Sequence, residues 1–465
     1  MRVFFQRELT ILKKSSIQTI LFAIVSFILL LSLWNQPVFT SDEPEIFIKG
    51  IQISRGQFLY RDVDSQHMPL MYHLAAIMAR LGVSTLTGFR ISFYVLYSII
   101  LGFIYCRYHK EIGWRSICLY LISYLSLIPT IRYGTTVISE QLQGLGMVIL
   151  LYELLAFEKR RELTGLACFS ISLAVFISFG SAFVSIFGVF AFFVGILAIR
   201  IIDDYKNGMQ KGIKRCFTDL FLLCASIIAP FFLYLFYFVR TGTVRELFQW
   251  AYVFNREVYP KYLSLYQGYG NNVLGALLGG ISNIAKTFNI ADISTVSLIH
   301  IVTLIITIFY IIELIAKDRV LAIVVGFFIV TCATRDGFEF HGIPVVAVFS
   351  AIMGLEFNAH YKDVLCWASN SKKLLVVIVF GIIFCSAYLS EIRAVFYIDS
   401  TKYYNSASEE YALRILGEEN EEVGYFNVNH ELLLRGKKLP ANPTWGVCPW
   451  FWEWERSEII NTLYD

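Results

Sequence analysis

The chain has 465 residues, 57% of them hydrophobic and only 16% charged, and its mean hydropathy is +0.61. Soluble domains do not tolerate that apolar content, so the composition specifies a polytopic membrane protein. A formal charge of +3 is too small for a nucleic-acid binder, and the nine cysteines show no CxxC or Cys/His ligand spacing, so neither a disulfide framework nor a zinc site is implied.

Taking about 20 apolar residues as one span and placing Lys and Arg on the cytoplasmic side, the chain threads in order. Arg2, Arg7, Lys13 and Lys14 precede an apolar run from Ile17 to Trp34. Its length, and bulky Leu-Trp-Asn where a cleavage site would need small residues, predict a retained anchor. The stretch that follows is then external. Within it, Met68 to Leu81 is predicted to lie along the membrane surface. If it crossed, Arg107, Lys110 and Arg115 would be stranded on the wrong face, and Arg80 would cost about 2.5–3.5 kcal/mol at mid-bilayer.

Phe89 to Tyr105 then goes in, Ile117 to Ile131 out, and Val137 to Phe157 back to Lys159, Arg160 and Arg161. Leu163 to Phe179 and Ala182 to Ile199 form a hairpin about Phe179-Gly180-Ser181 that closes at Arg200, Lys206, Lys211, Lys214 and Arg215. Leu220 to Val239 leads outward into a second large external loop. Ser297 to Leu314, Val320 to Ala333, Ile343 to Phe357 and Leu374 to Leu389 complete the threading. The expected fold class is thus an all-α polytopic membrane protein with about 11 transmembrane helices and interfacial helices in the first external loop. A transmembrane domain over 1–390 contains external loops at 35–88 and 240–294, and a small external C-terminal region covers 391–465. That tail holds one expected short strand, Tyr425 to Asn429, and Trp445, Trp450, Trp452 and Trp454, which suit sugar stacking or an interfacial aromatic belt equally well. No internal repeat is visible, which counts against repeat-built transporter folds.

The first external loop concentrates carboxylates: Asp42, Glu43, Glu45, Asp62 and Asp64. Asp42 with Glu45 three residues on, and Pro44 in the first turn, reads as a capping box opening an amphipathic helix. Asp42 is also a candidate base, although the short motif by itself favours the cap. Arg90 opens the next span and either snorkels at the interface or holds an anion. Glu140, at the mouth of an apolar span, needs water or a partner. His67 and His341 can polarise a substrate hydroxyl; a metal site shared with Asp62 or Asp64 lacks any HxH or HExxH spacing in support.

Read in order, these residues resemble the C-type glycosyltransferase superfamily, and more narrowly its protein O-mannosyltransferase and aminoarabinose transferase branch. The resemblance rests on Asp42-Glu43, on His67-Met68-Pro69-Leu70 with Met68 where the family has a proline, and on Gly82 with Arg90. It continues through Glu140, Phe254-Asn255, and Phe340-His341-Gly342-Ile343-Pro344, where Gly342 replaces a tyrosine. Each motif is weak alone; their order along nearly the whole chain carries the weight.

The resemblance implies transfer of a sugar from a polyprenyl-phosphate donor to an acceptor hydroxyl outside the membrane, with Asp42 as base, inverting the anomeric carbon. Glu43 would orient Asp42 or the acceptor. Arg90, Arg256, Lys261 and Arg335 would hold the donor phosphate, and Asp62, Asp64, His67, Glu140 and His341 would contact substrate. No cofactor is implied. The expected partners are the lipid-linked donor, a lipid, glycan or protein acceptor, and membrane lipids. The expected location is a bacterial inner membrane, with the N-terminus cytoplasmic and both the active site and the C-terminus external. A lipid-linked-sugar flippase or other transporter, and an oligosaccharide polymerase or ligase, are the competing readings.

Overall fold

The structure is a computed structural model and describes residues 16–33, 42–131, 134–207, 209–258, 273–288, 295–332, 339–368, 422–423 and 439–440. Helix α1 (Ser16–Leu30) packs along α4 (Leu86–Tyr108). Between them in sequence, α2 (Asp42–Ser54) and α3 (Leu70–Arg80) form a close pair. A Cβ on Gly50 would overlap Ala75 Cβ and lie 2.8 Å from the Ala75 carbonyl carbon, so glycine is what allows α2 to seat on α3. Helix α3 is the element expected along the membrane surface, and its 11 residues are too few to cross a bilayer.

A π-helical turn, His109–Gly113, joins α4 to α5 (Trp114–Leu127). Gly113 has φ 98°, and the Asn358 amide occupies the space a Cβ would need, its Nδ2 donating to the Ile112 carbonyl at 3.3 Å. Helix α6 (Ser139–Arg160) is buried on every face from Ser139 to Phe157, as a central helix should be. Against it pack α7 (Gly165–Ser181) and α8 (Ser185–Asn207), and α9 (Met209–Thr241) packs on those two. The chain continues through α10 (Val244–Phe248) into a π-helical stretch, Gln249–Val258, then α11 (Val273–Thr287), α12 (Thr295–Lys317), α13 (Arg319–Cys332) and α14 (Ile343–Ala368). Helix α14 packs on α5 and α6 and is the second buried spine, whereas α9 and α12 leave most of their apolar surface outward, as lipid-facing helices do.

Among the described residues, six helical stretches are long and apolar enough to cross a membrane, one of them the 45-residue run Leu86–Thr130 that contains α4 and α5. Ile17–Leu30, Gly165–Ser181 and Arg319–Cys332 are shorter apolar helices. The chain is therefore a multi-pass, helical membrane protein. Leu374 to Leu389, expected as the last span, and the expected strand Tyr425–Asn429 lie outside the described residues. In the C-terminal region two short segments, β1 (Glu422–Val423) and β2 (Leu439–Pro440), pair in parallel.

One end of the bundle is tied by charge. Glu153 is fully buried on α6 and accepts from Arg107 Nη2 at 3.2 Å, from Tyr108 Oη at 2.9 Å and from Arg160. Lys159 Nζ donates to the Glu111 carbonyl at 2.6 Å, and Arg200 Nη1 to the Arg161 carbonyl at 2.9 Å. Arg107, Lys159, Arg160, Arg161 and Arg200, expected on one side from their loops, meet there, and the buried Glu153 pairs with two of them, Arg107 and Arg160. Glu153 lies 13 residues beyond Glu140, which places this cluster about 20 Å along α6 from that carboxylate.

Candidate active site

At the opposite end of α6, five segments meet around a narrow cleft. Its wall is formed by Asp42 and Ile46 from α2, His67 and Met68 from the following loop, Met71 and Tyr72 from α3, Ile138, Ser139 and Glu140 at the start of α6, and Phe340 just before α14. Three of the residues singled out in the sequence, Asp42, His67 and Glu140, are thus brought to one place from positions up to 98 residues apart. The structure shows Asp42 as the first residue of its helix, one position inside the expected cap. With Glu43 and Glu45 it puts negative charge on the helix N-terminus, where the dipole favours it.

Glu43 points away from the cleft. It is fully buried and takes two parallel hydrogen bonds from Arg90, Nε to Oε1 at 2.7 Å and Nη2 to Oε2 at 2.6 Å. The Val137 amide also approaches Glu43 Oε1 at 3.4 Å. Glu43 therefore ties α2 to α4 and to the segment leading into α6, and Arg90 engages a carboxylate of its own chain. This bidentate pair is the strong form of an ion pair and fixes direction as well as distance. It sits one residue from Asp42, so it holds the first turn of α2 against the cleft.

The loop between α2 and α3 is folded about Tyr60, which has φ 72°, a left-handed backbone that non-glycine residues seldom adopt. Its hydroxyl donates to the His67 carbonyl at 2.7 Å, and Ser65 Oγ accepts from the His67 amide at 3.1 Å while donating to Tyr72 Oη at 2.8 Å. His67 is held by its backbone, leaving the ring at the cleft wall with Gln66 Nε2 3.3 Å from its Nε2. Asn255 reaches this loop from the second large loop, its Nδ2 donating to the Gln66 carbonyl at 2.6 Å. The two loops expected to enclose the site are in contact. Arg256 follows at once, exposed and resting on Tyr252, with Nη1 3.1 Å from its hydroxyl. Lys261 and Arg335 lie outside the described residues.

The other expected substrate contacts are placed away from the cleft wall. Asp62 accepts from the Phe58 amide at 2.8 Å and pairs with Arg61 at 2.8 Å; that guanidinium holds its carboxyl below the usual range. His341 is buried, and its carbonyl accepts from Asn283 at 3.3 Å; its neighbour Phe340 is the residue that lines the cleft.

Sequence reasoning passed over Lys49, which the structure buries behind Tyr72. Its ammonium donates to Glu45 Oε1 and to the Asp64 carbonyl, both at 2.6 Å, and lies 3.6 Å from Asp64 Oδ1. The i,i+4 spacing of Glu45 and Lys49 on a helix was the available signal. Burial disfavours the Lys49 charge, but Asp64 and Glu45 outweigh it and hold its pKa above the usual value. Burial pushes the Asp64 carboxyl up to about 7, against the pull of Lys49 and with Glu45 adding to the rise.

Because the folded-state value exceeds that of the unfolded chain, the stability Asp64 contributes is complete below about pH 4 and is lost as pH rises to about 7. Asp64→Asn is therefore expected to gain in unfolding midpoint relative to the parent as pH rises through that window. Melts in detergent at a series of pH values check this; a difference that stays constant with pH would contradict it.

No family model matches this chain, and no curated protein matches it in sequence. In structure it is similar to ArnT from Cupriavidus metallidurans, in a crystal structure bound to undecaprenyl phosphate. The TM-score is 0.55 and the identity 10%, with 95% of this chain and 88% of that one covered. The likeness at this identity is one of fold.

Proposed function

We propose that this chain, which carries the C-type glycosyltransferase fold, is an integral-membrane glycosyltransferase that moves a sugar from a polyprenyl-phosphate donor to an acceptor hydroxyl. The convergence of Asp42, His67 and Glu140 on one cleft is the observation that carries this reading. The undecaprenyl phosphate bound to the structurally similar ArnT supports a polyprenyl-linked donor. In the proposed reaction the acceptor oxygen attacks the anomeric carbon as Asp42 takes its proton. The bond from that carbon to the phosphate oxygen breaks on the opposite face, and the configuration inverts.

The phosphate leaves as an anion and needs no proton, so one carboxylate base suffices where glycoside hydrolysis uses two carboxyl groups. Glu140 and His67 would hold substrate hydroxyls at the cleft. Arg256, beside the loop contact made by Asn255, is a candidate for the phosphate, with Lys261 and Arg335 as further candidates. Arg90, through Glu43, positions the helix that carries Asp42. By the distribution of Lys and Arg, the cleft end of the bundle faces outward, with the N-terminus inside, in a bacterial inner membrane.

The test is reconstitution of purified protein with radiolabelled polyprenyl-phosphate sugars and a crude acceptor fraction. Label is expected in the acceptor, with free polyprenyl phosphate released in equal amount. Donor that crosses the liposome bilayer without losing its sugar would establish a transporter instead.

A further inference from the structure

A second group of ligating side chains lies far from the cleft. Helix α14 begins at Ile343, beside the cleft residue Phe340, and carries Glu356 and His360 one turn apart near its other end. Glu356 is 13 residues past Ile343, about 20 Å along the helix. The neighbouring α12 brings Glu313 to the same point. His360 Nε2 is 2.6 Å from Glu313 Oε1 and 3.6 Å from Glu356 Oε1, and the three donor atoms all fall within 4.8 Å of one another.

We propose that Glu313, Glu356 and His360 form a binding site for a divalent transition metal of the zinc class. One imidazole nitrogen and two carboxylate oxygens are a donor set such ions accept, with a fourth position left to water. With metal–ligand bonds of about 2.0–2.1 Å, tetrahedral ligand atoms stand about 3.3 Å apart. The separation between His360 and Glu356 is already close to that value. The shorter contact to Glu313, 2.6 Å, is a hydrogen bond that must open by about 0.7 Å when an ion enters.

Lys317 does not block the position, since its Nζ pairs with the other Glu313 oxygen, Oε2, at 2.8 Å. Two of the three ligands are aligned in advance by their i,i+4 spacing on one helix face. All three side chains are only partly buried, with exposures of 31%, 15% and 38% for Glu313, Glu356 and His360, so an ion can reach them from water. Binding requires the Nε2 lone pair, so any proton there is released to solvent and Nδ1 keeps the other. The bound ion would join α12 to the buried spine α14 at the end of the bundle remote from the chemistry.

Cobalt(II) titration of the full-length protein in detergent tests this. Visible ligand-field bands are expected to saturate at one equivalent, and the unfolding midpoint is expected to rise with metal and fall back with chelator. Glu356→Gln and His360→Gln, checked for unchanged elution and helicity, are each expected to lose the bands and to weaken binding about tenfold or more. Absence of bands in the parent protein, or bands that persist unchanged in both variants, would overturn the assignment.

Discussion

Asp42→Asn is expected to lower sugar transfer by about 10²–10⁴-fold while leaving the unfolding midpoint near that of the parent protein. Asparagine keeps the shape and the polar first turn of α2 but cannot take a proton, and Asp42 is partly exposed at the cleft, so little packing is lost. The loss should fall on kcat more than on KM for the donor, because the proton moves only as the acceptor attacks. Radiolabel transfer by the two proteins at matched folded concentration decides the point. Equal rates would remove Asp42 as the base and restrict it to opening the helix.

Arg90→Ala is expected to destabilise the protein by about 3–5 kcal/mol, because it leaves the fully buried Glu43 carboxylate without its bidentate partner. Replacing both partners with apolar residues, Glu43→Leu with Arg90→Met, should cost much less, since no uncompensated charge remains. Thermal unfolding of the two single variants and the double variant closes the cycle. Transfer activity should follow stability in this set, as the pair acts on Asp42 by fixing its helix. If Arg90→Ala instead unfolded normally and raised only the KM for donor, Arg90 would belong with the phosphate-binding residues, as the family resemblance implied.

The contrast between Asp42 and Arg90 shows which parts of the site were legible in the sequence. Asp42, His67 and Glu140 stand at the outer ends of apolar runs, and a polar group there can be placed by hydropathy and by the alternation of Lys and Arg. Their family order then suggested a common site, and the structure brings them to one cleft. Arg90 stands at such an end too, but hydropathy says nothing about which carboxylate it meets, and Glu43 is 47 residues away. Lys49 escaped for a different reason. A lysine in an external loop reads as solvated, and only the packing of α2 on α3, permitted by Gly50, puts it underneath Tyr72.

The charge cluster at the far end of the bundle makes the same division. Arg107 and Arg160 were readable as basic groups on one side of the membrane, whereas nothing in the hydropathy of the run that contains Glu153 marks it as their common partner. By itself the sequence determined the helical, multi-pass character of the protein and the end of the bundle at which its polar loops gather. Both follow from the free energy of moving each segment between water and lipid, a sum over neighbouring residues in the chain. The tertiary structure alone decided that Arg90 pairs with Glu43, that Lys49 is buried between Glu45 and Asp64, and that Glu313 meets Glu356 and His360. The contacts of Arg90 with Glu43, of Lys49 with Asp64 and of Glu313 with His360 join separate elements, set by how side chains pack and desolvate one another, and no local average along the chain contains them.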